Sequence, residues 1–121
     1  MQDAVKELGM HVFHVGINAA DDEQARAWAR DFETFFGLPA KEGANSIFSA
    51  DLVEIMKGSG RGTVGHIAIG VNDCEKAIEF FASRGVHTIP ETIKTNEEGR
   101  IKFVYLDKEI AGFMVHLNLV R

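Results

Sequence analysis

Cysteine, proline and positive charge are all scarce in this 121-residue sequence. The single cysteine, Cys74, has no internal partner for a disulfide, which excludes a stapled secreted scaffold and points to a reducing compartment, the cytoplasm. With only two prolines and no low-complexity stretch, Gly58 to Gly65 is the one candidate join between segments. Thirteen Lys plus Arg against eighteen Asp plus Glu leave a formal charge of −5 and no basic block, so nucleic acid is excluded as a partner. No run approaches the ~18 apolar residues of a membrane span. Residues 1–20, interrupted by Asp3 and Glu7, do not read as a signal peptide. What is present is ordinary: 45% apolar and 26% charged residues, in a length that suits one domain, residues 1–121.

Self-similarity organises that length. FHVGIN (Phe13 to Asn18) and GHIAIGVN (Gly65 to Asn72) both alternate with the period of a half-buried strand. In the first, Val15 and Ile17 oppose His14, Gly16 and Asn18; in the second, Ile67, Ile69 and Val71 oppose His66, Ala68 and Gly70. Each strand is followed by acidic caps, Asp21 and Asp22 or Asp73, and then by helical apolar spacing that ends at a glycine. The first helix is predicted over about 23–36, with Ala25, Trp28, Ala29, Phe32 and Phe36 on its buried stripe, and the second over about 74–84. Three extended segments follow each helix: 39–42, 45–50 and 52–57, then 87–95, 100–107 and 112–120, with Asn96-Glu97-Glu98-Gly99 as a hairpin turn. The expected fold is α+β, two βαβββ modules (about 10–57 and 65–121) forming a curved mixed sheet around a cleft.

Four chemistry-bearing side chains fall at matching places in the two modules: His14 and His66 on the opening strands, Glu54 and His116 on the closing strands. Strand parity groups Leu52, Glu54 and Met56 in LVEIMK, and Met114, His116 and Asn118 in GFMVHLNLV. A carboxylate in such a buried strand is costly unless it is paired. If the modules face each other about a pseudo-twofold axis, the four converge into three imidazoles and one carboxylate. That donor set suits a divalent first-row ion: Zn, Ni, Co, Mn or Fe. In this scheme Glu54 and His116 are also the candidate catalytic residues that move a proton. Met56 and Met114 are placed as cleft walls, while for Phe48, Phe103 and Tyr105 a core role is preferred.

The repeated module, HVGIN with GHIAIGV, and the closing LVEIM and GFMVHLNL resemble the vicinal oxygen chelate superfamily, which includes glyoxalase I, methylmalonyl-CoA epimerase, extradiol dioxygenases and bleomycin- or fosfomycin-resistance proteins. The resemblance covers nearly the whole chain and implies metal ligation by His14, Glu54, His66 and His116. The segments GHIAIGVNDCEKAI, EEGRIKFVYLDKEIAGFMVHLNLVR and KEGANSIFSADLVEIMK further resemble the domain appended to some bacterial 2-keto-3-deoxy-6-phosphogluconate / 4-hydroxy-2-oxoglutarate aldolases. Glyoxalase-type isomerases usually close the second module with glutamate. His116 stands there instead, which makes the site more cationic and favours an anionic oxygenated acid as the small-molecule substrate. The leading reading is a metal-dependent isomerase or lyase. The alternatives are a metal-free ligand-binding protein of the resistance type and an accessory domain of an aldolase.

Gly58-Ser59-Gly60-Arg61-Gly62 lacks the following helix of a nucleotide loop and reads as a flexible join, with Arg61 or Lys57 on a substrate phosphate as the minor reading. His11 and His87 read as structural or solvent-facing, and Cys74 as a small buried thiol. Open sheet edges favour a homodimer.

Overall fold

The computed structural model describes residues 3–120. After a short helix α1 (Ala4–Glu7), the chain runs β1 (His11–Asn18), α2 (Asp22–Phe36), β2 (Ala40–Glu42), β3 (Ser46–Ser49) and β4 (Val53–Met56). It then repeats the order with β5 (Gly65–Val71), α3 (Cys74–Ser83), β6 (Lys94–Thr95), β7 (Ile101–Ile110) and β8 (Phe113–Leu119). All eight strands form one mixed sheet in the order β2-β3-β4-β1-β5-β8-β7-β6, so the two opening strands pair at its centre and each module extends outward from them. The helices start where the acidic caps predict: Asp21 accepts the Gln24 N–H at 2.8 Å and Asp73 accepts that of Lys76 at 2.9 Å. Gly37, at φ 71°, closes α2 in the left-handed conformation that glycine adopts without strain.

The apolar parity of the strands is spent on the helix-bearing side. Val71, Val104, Leu106 and Leu117 pack with Leu8, Cys74 and Ala77 in one cluster, and Ile47 and Ile55 pack with Ala19, Ala25 and Ala29 in another. Each module thus has its own small core, and the opposite sheet face carries the polar set.

Several expectations are corrected. The segment 87–95 is not one strand: Thr88 makes a single bridge to Leu106, Pro90–Thr92 form a 3-10 turn, and only Lys94–Thr95 pair with β7. Proline supplies no ladder N–H. The Thr92 hydroxyl takes over as a partner, accepting the Tyr105 N–H at 2.9 Å while donating to the Ile89 carbonyl at 2.7 Å. Leu52 stands outside β4, 57% exposed, because Ala50 and Asp51 turn the chain with φ of 52° and 58°. Phe36 is 71% exposed rather than on the buried stripe, touching Phe32 from the last turn of α2.

The glycine-rich join is pinned rather than loose. The Asn18 amide donates to the Gly62 carbonyl at 2.8 Å, Glu109 accepts from both the N–H and the hydroxyl of Thr63, and the Val64 N–H donates to the Gly112 carbonyl at 2.7 Å. Lys57 is also unavailable to a ligand: its ammonium meets Glu42 at 2.6 Å and the Gly43 carbonyl at 2.9 Å.

Cys74 is fully buried at the start of α3. Burial pushes its thiol up to about 11, with the carboxylates of Glu75 and Asp73 adding to the rise against Arg100, so the helix start does not make it a nucleophile. Alkylation by iodoacetamide at pH 8 is expected to run at least about 100-fold slower in the native protein than in urea, where the thiol returns to its ordinary range. Equal rates in the two states would contradict this burial.

Candidate metal centre

Strand register brings the sequence-matched residues together. Across the central antiparallel pair, Gly16 lies opposite His66 and His14 opposite Ala68. Across the flanking parallel pairs, Gly16 lies beside Glu54 and Ala68 beside His116. The two modules are therefore in equivalent registers, and all four side chains reach the same sheet face. His66 needs the missing side chain at Gly16: a Cβ there would sit 2.0 Å from its Cε1.

The side chains meet closely. His14 Nε2 lies 3.2 Å from His66 Nε2, and Glu54 Oε1 lies 3.0 Å from His66 Nε2 and 3.4 Å from His14 Nε2. The three histidines each offer one ring nitrogen within 4.8 Å of the other two, and all three are buried. The second carboxylate oxygen of Glu54 accepts the Ser46 hydroxyl at 2.7 Å, which fixes the plane of the group. Burial alone would raise the Glu54 carboxyl, but hydrogen bonds from His14, His66 and Ser46 together outweigh it and hold the group well below the usual carboxylate range. Burial pushes the His116 imidazole down to about 3, and the neighbouring His66 and His14 add to the shift.

Three features of this donor set fit a divalent ion. Atoms at adjacent corners of a coordination shell with bonds of about 2.0–2.2 Å lie about 3.0–3.4 Å apart. The triangle of His14 Nε2, His66 Nε2 and Glu54 Oε1, with edges of 3.0, 3.2 and 3.4 Å, has those dimensions. In addition, His116 brings a buried ring beside this triangle, with centroids 5.4 and 5.0 Å from those of His14 and His66 and one ring nitrogen within 4.8 Å of theirs. Three imidazole nitrogens and one carboxylate oxygen are also the ligand chemistry of first-row metals.

Phe48, Phe103 and Tyr105 belong here rather than to the core. Phe48 lies opposite Glu54 in the β3–β4 pair with its ring 5.3 Å from that of His14. Phe103 and Tyr105 lie 4.6 and 5.0 Å from the His116 ring. They wall the imidazoles on one side each, while two apolar grooves of about 580 and 440 Å³ open elsewhere and are lined by none of the four donors. His11 and His87 are exposed, as expected, and take no part. Sequence reasoning did not single out Ser46 or the pinning role of Asn18. Parity puts Asn18 on the histidine face, but the Ser46 contact runs diagonally across the β3–β4 hairpin and needs the register to be seen.

No protein-family model matches the sequence, and no curated protein matches it either. Solved structures do. A hypothetical protein from Bacillus halodurans C-125 superposes with a TM-score of 0.61 at 16% identity, over 93% of this chain and 95% of that one. Methylmalonyl-CoA epimerase from Mycobacterium tuberculosis superposes at 0.58 and 15% identity, over 91% and 87%. Methylmalonyl-CoA epimerase from Streptomyces coelicolor, in complex with 2-nitronate-propionyl-CoA, superposes at 0.56 and 14% identity, over 88% and 94%. This chain has the glyoxalase-like fold. At these identities the likeness carries the fold alone. The polar face of that glyoxalase-like sheet holds the imidazole cluster. Among the described residues no helix is long and apolar enough to cross a membrane.

Proposed function

We propose that this protein is a metal-dependent enzyme of the isomerase or lyase type acting on a small oxygen-rich acid, with His14, Glu54, His66 and His116 as the ligand set. The substrate class includes the 2-keto-3-deoxy sugar acids that the aldolase-linked resemblance suggests. What supports the reading is the 3.0–3.4 Å triangle of donors from three strands, with His116 beside it. A bound divalent ion would polarise two adjacent substrate oxygens and acidify the C–H next to them.

The chain's own residues supply the rest. Ser46 fixes Glu54 through Oε2, so that Oε1 faces the imidazoles. His116 brings one ring nitrogen within 4.8 Å of those of His14 and His66, and with Glu54 it moves the proton. Phe48, Phe103 and Tyr105 exclude water from one flank each, which strengthens every charge interaction inside. Strand placement keeps the donors in register, because ladder hydrogen bonds hold them more firmly than a loop would.

The test is metal analysis of protein purified without a histidine tag. About one ion per chain is expected, lost in His66→Ala. Chelator should lower the melting temperature of the wild type by about 10 °C and leave that of His66→Ala unchanged. A metal-free protein whose melting ignores chelator would defeat the proposal in favour of a metal-free ligand-binding role.

A further inference from the structure

Two cations stand over the aromatic wall of the cluster with no carboxylate at ion-pair distance among the described residues. The Arg61 guanidinium lies 5.3 Å from the centroid of the Tyr105 ring, and the Lys94 ammonium lies 5.0 Å from that of Phe103. Both rings face His116, at 5.0 and 4.6 Å. Each cation is therefore at most two short ring steps from the imidazoles, on the same face of the sheet. Other cations with short contacts lie away from the cluster: Arg26 and Lys57 meet Glu42, Arg100 meets Asp73 and Glu75, and Arg84 stands 5.6 Å over Phe80 of α3.

The backbone beneath Arg61 is built to hold it there. Gly60 is seated against Asn18 and Met56, so closely that a Cβ would come within 2.0 Å of Asn18 Oδ1. The Asn18 amide holds the Gly62 carbonyl, and Thr63 is tied to Glu109 on its far side. Asn18 lies on the same strand and parity as His14, so one strand places both an imidazole of the cluster and the loop that carries the cation. The two cations come from different modules, Arg61 from the join after β4 and Lys94 from β6, and flank the same edge of the site.

We infer that Arg61, assisted by Lys94, forms an anion subsite beside the imidazole cluster, so that the substrate is a short acid carrying a second oxyanion, carboxylate or phosphate, at its far end. The inference rests on the proposed function for the position of the first end. The guanidinium fork matches a carboxylate or phosphate edge in two parallel hydrogen bonds, and stacking on Tyr105 restricts it in advance of binding. Lys94 adds a point charge.

The experiment is calorimetric titration of the purified protein, with its metal content measured in the same sample, at about 0.15 M salt to screen diffuse attraction. Three probes separate the cases: 2-oxobutyrate with one anionic end, 2-oxoglutarate with a distal carboxylate, and 3-phosphoglycerate with a distal phosphate. At least one distal anion is expected to bind about tenfold tighter than 2-oxobutyrate, and the one preferred identifies the oxyanion. Arg61→Gln should erase that ratio while metal content and melting stay at wild-type values. Lys102→Gln, which removes an exposed lysine on the helix-bearing parity of β7, should leave the ratio intact. Equal affinities for all three probes, or a ratio untouched by Arg61→Gln, would overturn the subsite. Loss of the ratio with metal retained bears on Arg61 alone, whereas absence of metal from the wild type bears on the proposed function, so the two failures are distinguishable.

Discussion

Gly65→Ala is expected to cost at least about 3 kcal/mol and to leave little native protein at 37 °C. Gly65 opens β5 opposite Ile17, and a Cβ there would lie 1.9 Å from the Gly16 carbonyl oxygen and 2.8 Å from its carbon. Both obstacles are backbone, held in the central ladder, and no rotamer change relieves them. The strands could accept the methyl only by moving apart, which breaks the pairing that joins the two modules. Urea unfolding followed by circular dichroism measures the loss. Gly43→Ala is the comparison, since its added Cβ would meet nothing closer than the Ser46 carbonyl at 3.4 Å. That variant should stay within about 1 kcal/mol of wild type. Similar stabilities for the two variants would contradict the close approach at the seam.

The second large effect concerns Gly16. Here the obstacle is a side chain: the added Cβ would fall 2.0 Å from Cε1 and 2.2 Å from Nδ1 of His66, a ring that is 2% exposed. Gly16→Ala should cost about 2 kcal/mol and abolish ion binding by expelling the imidazole from the cluster. In a His66→Ala background the same change should be nearly free, because the ring it strikes is gone. The double-mutant cycle is then expected to show a coupling of about 1–3 kcal/mol between two residues in register on adjacent strands. Additive costs would mean that the backbone at Gly16, rather than the His66 ring, sets the requirement for glycine.

The sequence made the scaffold legible where periodicity was regular. β1 and β5 announce themselves by alternation, and α2 and α3 by acidic caps that do hydrogen-bond the third residue on. The convergence of His14, Glu54, His66 and His116 was readable because duplication makes position in one module a ruler for the other. The equivalent registers of Gly16 with Glu54 and of Ala68 with His116 are that ruler in three dimensions. Legibility failed where a side chain substituted for backbone or where hydrophobicity had two uses. Thr92 completes a ladder with its hydroxyl, so 87–95 looks like a strand in composition without being one. Phe48, Phe103 and Tyr105 look like core residues by type, yet cover imidazoles. The glycines of the join suggested looseness, but Gly60 is small because it is pressed against Asn18.

One consequence follows from the central β1–β5 ladder. Each half of the chain supplies two of the four donors, and side chains alternate faces along a strand, so a slip of one residue would carry a histidine through to the helix side. A bound ion would then lose half its shell. Loading such an ion would therefore proofread strand alignment, rewarding only the chain that has matched its two copies in step.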